Sequence, residues 1–271
     1  MSKIIIITAA LTGSIPTKQM TPHVPITPEE IAESAFNCYK AGASIVHLHA
    51  RDGEGKPSSK RAIFKEITDR IKDKCPDLLI NISTGGRGRQ QSLRGSALSL
   101  GPDIASLTTG SVNFPNQVYS NSPQLIEGLA SKMLKYGIKP ECEIFDSSMI
   151  PNALRLKDNG LIKGNPYFNF VMGLQGAIPA DEKYLMRFLE DIPRASPWTV
   201  SGIGKHQLST NMLGINLGGN VRTGLEDNLF YQKGVLATNE SLVERIASIA
   251  ENNGRKVGTP DDARKILMLG P

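Results

Sequence analysis

His47 and His49 stand two residues apart in Ile45-Val46-His47-Leu48-His49-Ala50-Arg51, and they are two of the four histidines in the chain. In an extended segment the side chains at i and i+2 leave the same face, so the two imidazoles lie side by side. Such a pair suits a divalent ion, but a zinc site takes a third protein ligand as well. Two core histidines bonded to backbone groups would give the same pattern.

Other stretches carry polar groups that could work beside the pair. Ser83-Thr84-Gly85-Gly86 follows an apolar run, and its serine is either a turn residue or a hydroxyl aimed at a ligand. Glu143 stands within an apolar run, where a carboxylate needs a partner. In Arg222-Thr223-Gly224-Leu225-Glu226-Asp227-Asn228, adjacent carboxylates follow an arginine. The acidic first turn of a helix has the same composition.

The elements that must position these residues alternate regularly. Strands are predicted at Lys3 to Thr8, Ser44 to His49, Leu78 to Ile82, Ile104 to Leu107, Glu141 to Phe145, Tyr167 to Met172, Trp198 to Ser201 and Gly219 to Thr223. Between them, helices are predicted from Thr27-Pro28 to Ala41, Lys60 to Lys74, Gln90 to Leu100, Ser122-Pro123 to Gly137, Ser148 to Asn159, Asp181 to Asp191 and His206 to Leu217, with Asn239 to Asn252 and Pro260 to Leu267 closing the chain. Strands that are apolar throughout, each followed by a helix, point to an α/β fold with a closed parallel sheet: a (β/α)8 TIM barrel in which residues 1–271 form a single catalytic domain. A Rossmann-type sheet would want G-x-G-x-x-G after the first strand, and Thr12-Gly13-Ser14 does not supply it. Barrel enzymes place chemistry at the C-terminal ends of their strands, where His47, His49, Ser83, Glu143, Arg222 and Glu226 would all sit.

Composition narrows the partners. The net charge of +5 is spread along the chain without a basic block or interleaved aromatics, which argues against nucleic acid and leaves room for an anionic small substrate. Cys38, Cys75 and Cys142 are odd in number and form no CxxC pair, as in a reducing compartment. The apolar start from Ile4 to Ile7 is too short for a membrane span or a signal sequence. The expectation is a cytoplasmic protein with no membrane partner.

The segments Thr8-Ala9-Ala10-Leu11-Thr12-Gly13, His47-Leu48-His49-Ala50-Arg51, Ile82-Ser83-Thr84-Gly85-Gly86, Gly202-Ile203-Gly204 and Arg222-Thr223-Gly224-Leu225-Glu226-Asp227-Asn228 together resemble the β-keto acid cleavage enzyme family, in the same order from Lys3 nearly to the C-terminus. The resemblance implies a zinc-dependent barrel, commonly a homotetramer, that exchanges a β-keto acid and acetyl-CoA for acetoacetate and a new acyl-CoA. Carried over position by position, it makes His47, His49 and Glu226 the zinc ligands and Asp227 the base, with Arg222 holding the Asp227 carboxylate. Ser83 would bond the substrate or a tetrahedral oxyanion, with Thr84 and Gly85 beside it, and Glu143 would orient substrate or ligands. The chemistry fits the donors: a β-keto acid chelates through carboxylate and ketone oxygens, which needs open positions on the metal. A metal-dependent barrel aldolase or hydrolase acting without CoA would share the ligands, and a binding barrel without catalysis would need none of them.

The chain departs from the family in places that bear on substrate. Where members acting on an aminated keto acid carry a glutamate, this chain has Ile15, which cannot neutralise an ammonium. Arg87 and Arg89 follow Ser-Thr-Gly-Gly, and either meet an acid at the far end of the substrate, bind CoA phosphates, or face solvent, as Lys18 does or does not in the same way. His206 and His23 are assigned no role.

Overall fold

The runs Ile7–Ala10 (β1), Ile45–Leu48 (β2) and Leu79–Ile82 (β3) are buried at every position, as parallel strands covered on both faces should be. They are followed by Ile104–Thr108 (β4), Lys139–Ile144 (β5), Tyr167–Met172 (β6), Trp198–Gly202 (β7) and Asn220–Thr223 (β8). In the computed structural model, which describes residues 3–86 and 91–270, these strands pair in sequence order, all parallel, and β8 returns to β1 to close the barrel.

Alternation along the strands sorts the residues into an outer and an inner set. Outward side chains such as Ile7, Val46, Ile80, Leu107, Phe168 and Val200 pack beneath the surrounding helices. Those helices are Pro28–Lys40 (α1), Arg61–Lys74 (α2), Pro123–Lys135 (α3), Met149–Asp158 (α4), Glu182–Asp191 (α5), Gln207–Leu217 (α6), Asn239–Asn252 (α7) and Pro260–Leu267 (α8). Inward side chains change character with height. At the N-terminal end Ile45, Leu79, Ile104 and Tyr167 form an apolar plug with Ala263 and Leu267 of α8. Two residues further on, the same strands turn His47, Asn81, Ser106 and Asn169 into the interior, and all are buried. One further step brings His49 and Ser83 to the C-terminal rim.

The helix starts follow their sequence signals. Thr27 caps α1 in a reciprocal box, its hydroxyl accepting from the Glu30 N–H while the Glu30 carboxylate accepts from the Thr27 N–H.

Four features differ from the sequence expectation. The first strand breaks at Ile6, whose N–H donates to the Asn220 side chain at 3.0 Å. Ile4–Ile5 therefore pairs with Lys256–Val257 outside the barrel, and the barrel strand runs on to Ala10. The helix expected from Gln90 to Leu100 is replaced by 3₁₀ turns at Gln91–Leu93 and Ser96–Leu100, separated by Gly95 at φ +76°. Short antiparallel ribbons add to the rim, pairing Ala50–Arg51 with Pro57–Ser58, Val112–Phe114 with Gln117–Tyr119, and Phe230–Gln232 with Val235–Leu236. Finally, residues 224–228 form a turn and not the start of a helix, so the acidic pair there has no helix terminus to serve. Among the described residues no helix is long and apolar enough to cross a membrane.

Candidate active site

β2 ends with His47 buried in the interior and His49 just past the last paired residue, both turned the same way with ring centroids 5.3 Å apart. Across the closed seam, β8 runs into the turn that carries Glu226. That turn is tied to the end of β1 by the Glu226 N–H, which donates to the Ala10 carbonyl at 3.1 Å, and to the start of α7 by Asn239, which accepts from the Leu225 N–H at 2.8 Å. The close approach requires glycine at two places. Gly224, at φ +139°, leaves no room for a Cβ against the Ala10 carbonyl, and a Cβ on Gly13, at φ +65°, would strike the Glu226 side chain.

The result is a candidate metal centre. One ligand atom each from His47, His49 and Glu226 lies within 4.8 Å of the others, the only such group of three or more among the described residues. His49 Nε2 is 3.2 Å and His47 Nε2 3.9 Å from Glu226 Oε1. Ligands about 2.0–2.1 Å from a tetrahedral zinc ion stand about 3.3 Å apart, so small rotations bring these atoms to coordination distance. Protonation states suit the role too. Burial, more than the neighbouring charges, brings the His47 imidazole down to about 3, which keeps it neutral and able to coordinate. Burial alone would raise Glu226, but Arg222 and then the two imidazoles hold it well below the usual carboxylate range. Its Oε2 is buried without a hydrogen-bond partner, an acceptor left over for a cation. The donor set fits zinc, and other first-row ions as well.

Beneath the centre lies a supporting pair. Asn81 is the register partner of His47 on β3, and its Nδ2 donates to Glu141 Oε2 at 2.9 Å. This leaves Asn81 Oδ1 and the Nδ1 of His47 as neighbours in register, both buried and neither making a hydrogen bond. A proton on Nδ1 shared with that oxygen would leave Nε2 as the lone pair facing Glu226. Asn81→Leu is expected to weaken metal binding about 10- to 100-fold, read by competition against a chromophoric chelator. Unchanged affinity in a folded Asn81→Leu protein would remove Asn81 from this role.

Beside the centre, Arg222 holds Asp227 in a two-point pair, Nε to Oδ2 at 2.8 Å and Nη2 to Oδ1 at 2.9 Å. Nη2 also donates to Glu226 Oε1 at 2.7 Å. Burial raises Asp227 above the ordinary aspartate range; Arg222 opposes this and Glu226 adds to it. A raised carboxylate fixed in orientation but outside the ligand set is a better proton acceptor than an ordinary aspartate and can take and return a proton.

Glu143, at the end of β5, accepts from Thr108 Oγ1 at 2.6 Å and lies 4.0 Å from Arg222 Nη1. Burial, against the pull of Arg222, pushes it up to about 7 from an ordinary 4.5. The folded metal-free protein therefore retains a proton that the unfolded chain releases across this window. Stability should fall as pH rises from about 4.5 to about 7, and Glu143→Gln should flatten that slope by up to about 3 kcal/mol in pH-dependent chemical denaturation. Parallel pH profiles for the two proteins would contradict the buried, raised carboxyl.

These groups open into one cavity of about 130 Å³ lined by His49, Ser83, Gly85, Glu143, Arg222, Glu226 and Asp227, with an apolar wall above. Ser83 faces this cavity and its hydroxyl accepts from the Gly85 N–H at 3.1 Å. Thr84, expected to meet substrate, does not line it: its hydroxyl donates to the Ser106 carbonyl at 2.6 Å, which anchors the loop. Lys18 is also elsewhere, paired with Glu30 at 2.8 Å. Arg87 and Arg89 lie outside the described residues.

Several residues around the cavity carry no assignment from the sequence. Tyr119 and Phe114 come from the ribbon after β4, whose Pro115-Asn116 turn is the signal that could have marked it. Phe145 directly follows β5, a position the barrel rule favours. Arg94 is buried and donates to the Thr84 and Ser120 carbonyls, Tyr119 and Asn121, clamping the Ser83 loop to the Tyr119 ribbon. Nothing in its local sequence distinguishes it from the other loop arginines.

Comparison with known proteins agrees with this architecture. The chain is 44% identical to 3-oxoadipate:acetyl-CoA acetyltransferase of Cupriavidus necator, over 99% of this chain and 96% of that one. It is 42% identical to 3-keto-5-aminohexanoate cleavage enzyme of Fusobacterium nucleatum, over 99% of both. Among solved structures, the apo structure of ObcA superposes with a TM-score of 0.78 at 23% identity, covering 92% of this chain and 66% of that chain, a likeness of fold. The family model described as beta-keto acid cleavage enzyme matches residues 4–269, and with relatives this similar along their whole length the chain belongs to that family.

Proposed function

We propose that this protein condenses a β-keto acid with acetyl-CoA and releases acetoacetate and a new acyl-CoA, using a zinc ion held by His47, His49 and Glu226. The observation that carries the reading is the division of labour between adjacent residues. Glu226 joins the histidines, while Asp227 is kept out of the ligand set by its two-point pair with Arg222 and still lines the same cavity. The names of the relatives support the acetyl-CoA half of the reaction.

A divalent ion bound there would supply Lewis acidity toward the carboxylate and ketone oxygens of the keto acid. Asp227 takes a proton from C2, the carbon between those groups, and Arg222 holds its carboxylate in line for the transfer. The C2 carbanion forms a bond to the acetyl carbonyl carbon, and the C–S bond breaks to release CoA thiolate. The thiolate then adds to C3 of the original keto acid. The C2–C3 bond breaks, the acyl group leaves as acyl-CoA, and protonated Asp227 returns its proton to C2 of acetoacetate. In this reading Ser83 donates to the tetrahedral oxyanions and Glu143 orients the substrate opposite Arg222, which is supported by all three lining the cavity.

The cytoplasm suits three buried free cysteines. A homotetramer is the proposed assembly, and exposed Phe230, Tyr231, Val235 and Leu236 on one ribbon offer an apolar surface for contact between copies. The test of the reaction is an acetoacetate assay with each substrate alone and with both. Acetoacetate only when both are present supports the reading, whereas keto-acid breakdown without acetyl-CoA would place the chemistry with metal-dependent aldolases or hydrolases.

A further inference from the structure

The turn that carries Glu226 and Asp227 is held by two side-chain amides that no step of the proposed reaction uses. Gln207 and Asn239 are each the first residue of a helix, α6 and α7, and both are buried. Gln207 Nε2 donates to the Gly224 carbonyl at 3.0 Å. Asn239 Oδ1 accepts from the Leu225 N–H at 2.8 Å. The carbonyl of Gly224 and the N–H of Leu225 belong to one planar peptide unit, so the two amides grip opposite edges of the same plane.

That plane needs restraint, because Gly224, at φ +139°, gives the backbone beside it the freedom of a residue without a Cβ. Its orientation matters to the rest of the turn. The Gly224 carbonyl also accepts from the Asp227 N–H at 3.2 Å and the Asn228 N–H at 3.1 Å, and Leu225 is buried among Val24, Ala237 and Leu242. A rotated peptide would give up these bonds and swing the next residue, Glu226, away from the histidines. Two further bonds fix the ends of the turn. Asn239 Nδ2 donates to the Leu11 carbonyl at 3.0 Å, which ties the turn to the end of β1. Gly204 N–H, three residues before Gln207, donates to the Asp227 carbonyl at 2.7 Å. The Gly202-Ile203-Gly204 segment, which has no part in the mechanism, thus brings its own backbone and Gln207 against the turn. Gly202 has no room for a Cβ against the His206 carbonyl.

Resting on the reading of Glu226 as a metal ligand and Asp227 as the base, we propose that Gln207 and Asn239 are positioning residues for the reaction. Together they lock the Gly224–Leu225 peptide, which keeps Glu226 on the histidines and Asp227 in its pair with Arg222. A reacting or coordinating group displaced by about 1 Å can cost about 100-fold in rate, so two amides remote from the chemistry bear on it directly.

The test is zinc affinity, by competition against a chromophoric chelator, and kcat with zinc in excess, for wild type, Gln207→Met, Asn239→Leu and the double variant, each checked for folding. Each single substitution should weaken zinc binding about tenfold and lower kcat about tenfold. Because both side chains hold one peptide, releasing either edge frees it, and the double variant should be little worse than the weaker single. A product of the two effects, on the order of 100-fold, would mean independent supports and overturn the shared lock. Unchanged zinc affinity and kcat in the folded single variants would overturn it too. If the variants do not fold, the wild type carries the test. The Leu225 N–H of the metal-free protein should exchange in D2O as slowly as the amides of β8, and exchange at the rate of an exposed loop overturns the lock. A wild type that binds no zinc overturns instead the metal reading on which this inference rests.

Discussion

Glu226→Gln should lose stoichiometric metal and lower kcat/KM by on the order of 1,000-fold or more. The amide of glutamine is a weak ligand, so the two histidines would be left with one fewer anionic donor and a Lewis acid worth several kcal/mol would be lost. The substitution should also loosen Arg222, whose Nη2 donates to Glu226 Oε1 at 2.7 Å. Elemental analysis of the purified variant and wild type, run beside steady-state kinetics, reads both effects. If His47 and His49 were only core histidines, Glu226→Gln would leave metal content where it was in the wild type.

Asp227→Asn should do the opposite to the metal and nearly as much to the rate. The ligands remain, so the ion should stay at full occupancy, while loss of a general base costs about 100- to 10,000-fold in kcat. The variant also breaks a buried ion pair, since an amide cannot accept both Arg222 donors as a carboxylate does. A readout independent of turnover guards against misreading a destabilised protein. With wild type in D2O and no acetyl-CoA, the C2 protons of a β-keto acid should exchange faster than in buffer, and folded, metal-loaded Asp227→Asn should give no acceleration. Full exchange by that variant would assign the proton transfer to another group.

The parts of this molecule that are legible in the sequence are those governed by strand alternation. His47 and His49 share a face because a strand has period two, and the parallel barrel follows from strands that are apolar on both sides. The partner of the histidines is different in kind. Glu226 is far away in the chain and reaches them only because β8 closes against β1, a contact that periodicity does not encode; the family resemblance pointed to it, and the geometry brings it to 3.2 Å from His49. The break at Ile6 depends on a hydrogen bond that its N–H donates to Asn220, far away in the chain, and no local rule reveals it.

The apolar wall is not legible in the sequence for a related reason. Phe114 and Tyr119 sit on a ribbon inserted after β4, and Val171 is one inward position in a strand that is buried throughout. Which face of a fully buried strand points inward is set by the barrel as a whole. Arg94 shows the limit most clearly: its partners come from the Ser83 loop and the Tyr119 ribbon, so its role exists only once both are folded.

The central claim concerns which bonds break, and carbon labelling reads that directly. A β-keto acid labelled with ¹³C at C1 and C2, turned over with unlabelled acetyl-CoA, should give acetoacetate labelled at C1 and C2 only, and an acyl-CoA without label. Labelled acetate would show that the acid is cleaved by hydrolysis or direct thiolysis, and label retained in the acyl-CoA would show that CoA passed to C1 with the C2–C3 bond intact; either result contradicts a bond between C2 and the acetyl group.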